Sequence, residues 1–107
     1  MYRFVCRGLH NMDYIDDCVD SLKRQTVQDW TANLIIDGAV PGFIVDCKDA
    51  RFSVEYQFKR KGVCYNMYHG IENCGAQDED VVCILDLDDR LNFKHSLEIV
   101  DNYYRKY

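Results

Sequence analysis

Four short apolar runs punctuate the chain, and each ends in polar residues or glycine. This pattern predicts β-strands. The runs are "YRFVC" (2–6), "TANLIID" (31–37), "RFSVEYQ" (51–57) and "DVVCILD" (80–86). In the third run, Phe52, Val54 and Tyr56 alternate with polar residues, which is typical of a half-exposed strand. The fourth run is apolar almost throughout and is predicted to be the most buried strand.

Between the runs, apolar residues recur every three or four positions, which predicts three amphipathic helices. The first helix follows Asn11 and Asp13, either of which is a suitable N-cap. The second lies between Gly62 and Cys74, and the third begins at about Lys94. The residues predicted to face inward are, in chain order, Ile15, Cys18, Val19 and Leu22; Val63, Met67, Ile71 and Cys74; and Leu97, Val100 and Tyr104.

The alternation of strands with helices predicts an α/β fold, a Rossmann-like parallel sheet with helices on both faces and right-handed crossovers. The 107 residues are enough for one domain, 1–107. Ligands of such sheets bind beyond the carboxyl ends of the strands. Charged residues and glycines follow all four predicted strands, at Arg7-Gly8, Asp37-Gly38, 59–61 and 86–89. We therefore expect a polar site at that rim.

The composition restricts the partners that the protein could bind and the compartment in which we expect it. Thirteen basic residues against eighteen acidic ones give a net charge of −5, which argues against nucleic acid as a partner. The six cysteines are dispersed and form no C-x-x-C pair, so we interpret them as buried thiols in a reducing compartment. The chain has no signal-peptide pattern and no apolar run near the ~20 residues of a membrane span. These features predict a cytoplasmic protein.

The acids Asp86, Asp88 and Asp89 stand within four residues of one another. Their mutual repulsion is relieved if a cation lies among them, and Mg²⁺ or Mn²⁺ prefers such oxygen ligands. The alternative is a solvated turn in which Asp88 or Asp89 caps a helix and Arg90 pairs with an acid. The composition of the segment leaves both open.

The basic segment Lys59-Arg60-Lys61 precedes Gly62, where the second helix is predicted to start. A helix N-terminus with neighbouring cations is suited to a phosphate, and a solvated loop is the alternative. The sequence contains no Walker loop, G-x-S-x-G motif or Cys/His nucleophile arrangement, so nucleophilic catalysis has no candidate.

Together, four segments resemble the nucleotide-sugar-binding half of family 2 glycosyltransferases, which have the GT-A fold. The segment 14–30, "YIDDCVDSLKRQTVQDW", is similar to the family's first helix and its Q-T-x-x-x-[WF] turn. "LIIDGA" (34–39) resembles D-D-G-S, and "KGVCYNMYHGI" (61–71) resembles N-x-G-x-x-x-A-R-N-x-G-I. "ILDLDDRL" (84–91) resembles F-L-D-x-D-D-x-L, which contains the family's DxD motif.

The resemblance implies a nucleoside diphosphate sugar as donor and Mn²⁺ or Mg²⁺ as cofactor. Asp37 would contact the base, and the backbone from Cys6 through Arg7 to Gly8 would line the same pocket. Asp88 would hold the ribose side, and Asp89, together with Asp88, would ligate the metal that bridges the diphosphate. The family's A-R-N becomes Asn66-Met67-Tyr68 here, so Arg60 or Lys61 would supply the cation near the phosphates.

Relatives of this kind continue into a second half that forms the acceptor site and supplies the general base. The expectation is therefore a truncated domain whose acceptor is unknown and whose transfer chemistry needs the missing half. A different class of function is a non-catalytic binding module that self-associates through the surface left open. A third is a receiver-like or phosphatase-like domain, although such domains usually have acids where the first strand here ends in "CRGLHN".

Overall fold

Strands and helices alternate in the computed structural model, which describes residues 1–106. The strands are β1 (Tyr2–Gly8), β2 (Trp30–Asp37), β3 (Phe52–Gln57) and β4 (Val81–Ile84). The helices are α1 (Met12–Lys23), α2 (Val63–Asn73) and α3 (Ser96–Lys106). The predicted order of elements is confirmed, with each boundary within a few residues of its expected place.

The strands form one sheet in the order β3-β2-β1-β4, and every neighbouring pair is parallel. In the register of the sheet, Tyr2 lies opposite Trp30 on one side and Val81 on the other. The predicted α/β fold with a parallel sheet is therefore confirmed. All four carboxyl ends lie at one rim, as parallel pairing requires.

Apolar side chains on one face of the sheet pack against α1 and α3. Tyr2, Phe4 and Cys6 alternate along β1 and are all buried in one cluster with Leu97 of α3. The four predicted inward-facing residues of α1 belong to the same cluster. Full burial of a large apolar side chain stabilises a fold by ~1.5–3 kcal/mol, so this cluster is the principal core.

For the two helices on this face, the prediction holds for the N-cap of α1 but only in part for the apolar stripe of α3. Asn11 is the N-cap of α1, and its side chain accepts a hydrogen bond from the Tyr14 N–H at 3.5 Å. In α3 the prediction was partly wrong, because Leu97 is buried whereas Val100 and Tyr104 are exposed. The core therefore covers only the part of the predicted apolar stripe of α3 that contains Leu97.

Helix α2 lies on the opposite face, and its orientation differs from the prediction. Gly70 is buried so closely against the sheet that a Cβ there would lie 2.3 Å from Val5 Cγ1. Asn66, one turn earlier, is also buried. The predicted stripe was wrong, since Val63 is 46% exposed and Ile71 is 44% exposed. The side of α2 that carries Gly70 approaches the sheet, and the larger apolar residues Val63 and Ile71 face outward.

Strand β4 is an edge strand, which corrects the prediction that it is the most buried. Within residues 1–106 it pairs with β1 alone. Val81 and Cys83 pack against the core, whereas Ile84 is 41% exposed. The strand is apolar along its length because one of its faces packs against the core and the other face is partly covered.

Two further expectations from the sequence concern thiols and membranes. The six cysteines are all free, but Cys64 is exposed on α2, and Cys74 and Cys83 are only partly buried. The interpretation as buried thiols therefore holds for Cys6, Cys18 and Cys47. Among the described residues, no helix combines the length and apolar character needed to cross a membrane.

Asp80 connects the start of β1 to the turn before β4, and we expect it to make stability pH-dependent. It accepts hydrogen bonds from the Gln77 N–H at 2.9 Å and from Arg3 Nε at 3.1 Å. These donors lower the pKa of Asp80 from 3.8 to about 2. A lowered folded-state pKa contributes stability above pH 3.8, and that contribution is lost as the pH falls toward 2.

Urea denaturation between pH 5 and pH 2 measures this contribution. Asp80→Asn should lower the midpoint at pH 5 and flatten its decline over the window in which the parent loses stability. Asp78→Asn, a change at an exposed neighbour, is the matched control. Identical pH profiles for Asp80→Asn and the parent would show that the carboxylate contributes nothing.

Candidate functional site

A cavity of about 270 Å³ opens at the carboxyl-end rim of the sheet. It lies where β1 runs into the loop before α1 and where the segments after β3 and β4 approach β1. Its lining residues are Arg7, Gly8, Leu9, Asn11, Tyr14, Arg60, Leu87 and Asp88. Four of these had been predicted from the sequence as site residues: Arg7, Gly8, Arg60 and Asp88.

The three acids after β4 form a cluster beside this cavity. One carboxylate oxygen from each of Asp86, Asp88 and Asp89 lies within 4.8 Å of the others. The chain turns tightly here, since the Asp89 N–H donates to the Asp86 carbonyl at 2.9 Å. Asp88 and Asp89 are exposed, and Arg7 Nη2 pairs with Asp86 Oδ2 at 3.2 Å. Because Arg7 offsets one carboxylate, two remain for a cation, and their oxygens are the ligand type that Mg²⁺ and Mn²⁺ prefer.

Leu87 holds the acid cluster in place. Its side chain is buried, and its N–H donates to the Arg7 carbonyl at 2.9 Å, which continues the alignment of this segment with β1. A Cβ on Gly8 would lie 2.7 Å from Leu87 Cβ, so only glycine allows this approach. The alternation of "DLDD" therefore directs Leu87 into the core and leaves its acidic neighbours at the rim.

Asp37, at the end of β2, organises the basic segment that precedes α2. Its carboxylate is buried and accepts hydrogen bonds from the Lys61 N–H at 2.8 Å and the Gly62 N–H at 3.2 Å. Arg60 Nε lies 3.9 Å from Asp37 Oδ2. Gly62 is the N-cap of α2, with φ at 90°. An Asp37 carboxylate thus lies at the helix end for which the sequence had suggested a phosphate.

The remaining predicted residues lie around the cavity without lining it. The Cys6 side chain is in the core, where the neighbouring Cys18 thiol and burial raise its pKa well above 9.0. Cys6 is therefore a protonated core thiol. Lys61 Nζ lies 5.8 Å from the centre of the Tyr65 ring, so its charge is directed toward α2.

Sequence reasoning missed the uncharged part of the cavity. Leu9 and Tyr14 are exposed apolar residues that line it, and Asn11 is both a lining residue and the α1 N-cap. Tyr14 lies off the buried stripe of α1, which is the one signal that could have indicated a surface role. Leu9 carries no such signal, because a single exposed leucine is common on any protein.

Comparison with protein families decides the assignment. Residues 9–106 match the model of the family described as Glycosyl transferase family 2. The chain belongs to this family. A comparison with curated proteins gave no match. The match covers nearly all of the chain and includes every segment that lines the cavity except Arg7 and Gly8.

Membership of glycosyl transferase family 2 agrees with the fold and indicates glycosyl transfer. The parallel four-stranded sheet is consistent with a Rossmann-like half of the GT-A type. Members of the family generally use a divalent metal, and the acid cluster could hold one. Family membership and the position of the acid cluster therefore both indicate a functional site at the carboxyl-end rim of the sheet.

Proposed function

We propose that this domain binds a nucleoside diphosphate sugar in the rim cavity, for glycosyl transfer. The observation that carries the proposal is that an arginine, Arg60, and an acid, Asp88, line one cavity beside the acid cluster. A phosphate would need the first of these groups, and a diphosphate that binds together with a divalent ion would need both. The donor is thereby recognised by its charge distribution.

The cavity offers different surfaces to the two ends of such a donor. Leu9, Tyr14 and the backbone at Gly8 form the less polar side, which suits a base and ribose. Arg60 and Asp88, together with Arg7, contribute the charged part of the lining, to which we assign the diphosphate. We assign Mn²⁺ or Mg²⁺ to Asp88 and Asp89, both of which are exposed at the edge of the cavity.

In glycosyl transfer the bond between the anomeric carbon and the diphosphate oxygen breaks while an acceptor oxygen bonds to that carbon, and this site would serve the departure of the nucleoside diphosphate. A bound divalent ion supplies Lewis-acid stabilisation of the charge that develops on the leaving group. Arg60 would add a positive charge close to the same group, and Arg7 orients Asp86 through their ion pair at 3.2 Å. Leu87 holds the acid segment against β1, so the carboxylates are in place before the reaction.

Isothermal titration calorimetry with UDP-sugars and GDP-sugars tests the proposal directly. We expect saturable binding of at least one donor in Mn²⁺ and much weaker binding after the metal is removed with EDTA. The corresponding free nucleoside should bind weakly and independently of Mn²⁺. Absence of binding with every donor in Mn²⁺ would refute the proposed function.

The exposed edge of β4 favours a second candidate function, a module that self-associates. No charged residue interrupts β4, and Ile84 is 41% exposed. An apolar groove of about 180 Å³ runs beside it and is lined by Leu85, Leu91 and Val100, among others. A second copy of the chain that pairs with this edge would cover both features. Size-exclusion chromatography with light scattering would show a dimer, and a monomer at all concentrations would exclude this candidate.

A further inference from the structure

Gln25, which follows α1, is a polar residue with almost no exposure to solvent. It is 2% exposed, and both polar atoms of its side chain are hydrogen-bonded. Nε2 donates to the Ser21 carbonyl at 2.9 Å and to the Phe93 carbonyl at 3.0 Å, and Oε1 accepts from the Leu97 N–H at 2.9 Å. A buried amide whose donors and acceptor are all paired fixes the segments that it connects. Gln25 therefore fixes the end of α1 to the segment that runs from Phe93 into α3.

Two further hydrogen bonds connect the same parts of the chain. The Ser21 side chain is buried, and its Oγ accepts from the Leu91 N–H at 3.2 Å. The Thr26 N–H donates to the Lys94 carbonyl at 2.9 Å. Leu91 also packs against the principal core. Residues 91–97 are therefore held at the end of α1 by side-chain and backbone hydrogen bonds together.

The exposed part of the acid cluster lies between two fixed points of the backbone. At one end, the Leu87 N–H is hydrogen-bonded to β1. At the other end, the Leu91 N–H is hydrogen-bonded to α1. Only residues 88–90 separate these two points, and they include Asp88 and Asp89, to which we assign the metal. Because so short a segment is fixed at both ends, it has few conformations to lose when a ligand binds.

We propose that Ser21 and Gln25 are positioning residues of the metal site, which act through residues 91–97 and contact neither the ion nor the nucleotide. Their hydrogen bonds fix the far end of the segment that carries Asp88 and Asp89. The two carboxylates are thereby held close together before an ion binds, which lowers the ordering cost of binding. This inference rests on the proposed function, because it assumes that these acids bind Mn²⁺ or Mg²⁺.

Ser21→Ala removes the acceptor of the Leu91 N–H and tests the inference without any ligand. The Asp89 N–H, which donates to the Asp86 carbonyl within the acid cluster, reports on the order of that turn. Its amide hydrogen exchange should be faster in Ser21→Ala than in the parent, because one end of the segment is released. Equal exchange at Asp89 in the two proteins would show that the hydrogen bond has no influence on the acids, and the inference would fail.

The affinity for Mn²⁺ measures the consequence for the metal site. In titrations of Mn²⁺ alone, followed by electron paramagnetic resonance of the free ion, Ser21→Ala should weaken binding by ~2–10-fold, the range expected when one hydrogen bond is lost. Gln25→Ala removes three hydrogen bonds and should weaken binding further. If Gln25→Ala does not fold, Ser21→Ala decides the test. An unchanged Mn²⁺ affinity in Ser21→Ala would overturn the inference.

Val19→Ala separates positioning from general destabilisation. Val19 is buried in the core on α1, and its apolar side chain forms no hydrogen bond with residues 91–97. The substitution should lower the free energy of unfolding by leaving a cavity, without changing Mn²⁺ affinity or exchange at Asp89. If Val19→Ala weakened Mn²⁺ binding as much as Ser21→Ala, the effect would be a general loss of packing and the inference would fail.

The outcomes distinguish this inference from the proposed function. If the parent binds no Mn²⁺, the metal assignment fails and the inference fails with it. If the parent binds Mn²⁺ and Ser21→Ala binds it equally well, the inference fails alone. The expected result is faster exchange at Asp89 and weaker Mn²⁺ binding in Ser21→Ala, with neither effect in Val19→Ala.

Discussion

Asp89→Asn is expected to weaken binding of a nucleoside diphosphate in Mn²⁺ by ~10–100-fold, the usual cost of losing a carboxylate at a metal site. Asp89 is exposed, and its side-chain oxygen lies within 4.8 Å of oxygens from Asp86 and Asp88. The substitution removes one negative charge without changing the size of the side chain. Because an exposed rim acid contributes little to stability, the thermal midpoint should stay within experimental error. Titrations at increasing Mn²⁺ concentrations measure the effect.

Asp86→Asn is the matched control for this prediction. Asp86 is half-buried and ion-paired with Arg7, so its replacement should alter the local structure and stability more than the Mn²⁺ dependence. If Asp89→Asn bound the nucleotide as the parent does, the metal assignment would be wrong. The same conclusion would follow if parent affinity were independent of Mn²⁺. The segment after β4 would then be a capped turn, the alternative that its composition allows.

Gly70→Ala is expected to destabilise the fold by ~1–3 kcal/mol, the usual cost of forcing an extra carbon into a packed interior. The added Cβ would lie 2.3 Å from Val5 Cγ1 and 3.1 Å from Ile35 Cδ1. Val5 lies on the central strand β1, so the strain is relieved only if α2 moves away from the sheet. Alanine favours a helix over glycine by up to ~1 kcal/mol, but a contact distance of 2.3 Å places the packing cost at the upper end of its range, so the net effect is a loss of stability. Urea denaturation gives the change in free energy of unfolding.

Val5→Ala provides the control, because it removes the atom that the new Cβ would meet. Alone it should destabilise the protein by leaving a cavity. Combined with Gly70→Ala it should cost less than the sum of the two single changes, since each substitution makes room for the other. A Gly70→Ala variant as stable as the parent would show that α2 is free to shift. The close approach of α2 to the sheet would then contribute nothing measurable to the free energy of unfolding.

Local patterns in the sequence determined which elements form and where they begin and end. Apolar alternation and three-to-four spacing depend only on neighbours along the chain, and the strands and helices that they predict are present in the structure. Asn11 caps α1 because its side chain reaches an N–H three residues ahead, which is a local event. The gathering of Gly8, Arg60 and Asp88 at one rim was also predictable, because parallel strands place all their carboxyl ends together.

The tertiary structure decided what depends on contacts between distant segments. Periodicity marks residues that avoid water but does not identify the surface that covers them. The apolar run of β4 was therefore predicted to be the most buried strand, although β4 lies at the edge of the sheet. In α2 the stripe of larger apolar residues predicted the wrong face, because the closest approach to Val5 is made by Gly70, which has no side chain. Asp37 was predicted as a base contact, a role that is untested. Its burial against Lys61 and Gly62 was invisible in the sequence, because hydrogen bonds that span 24 and 25 residues have no local signature.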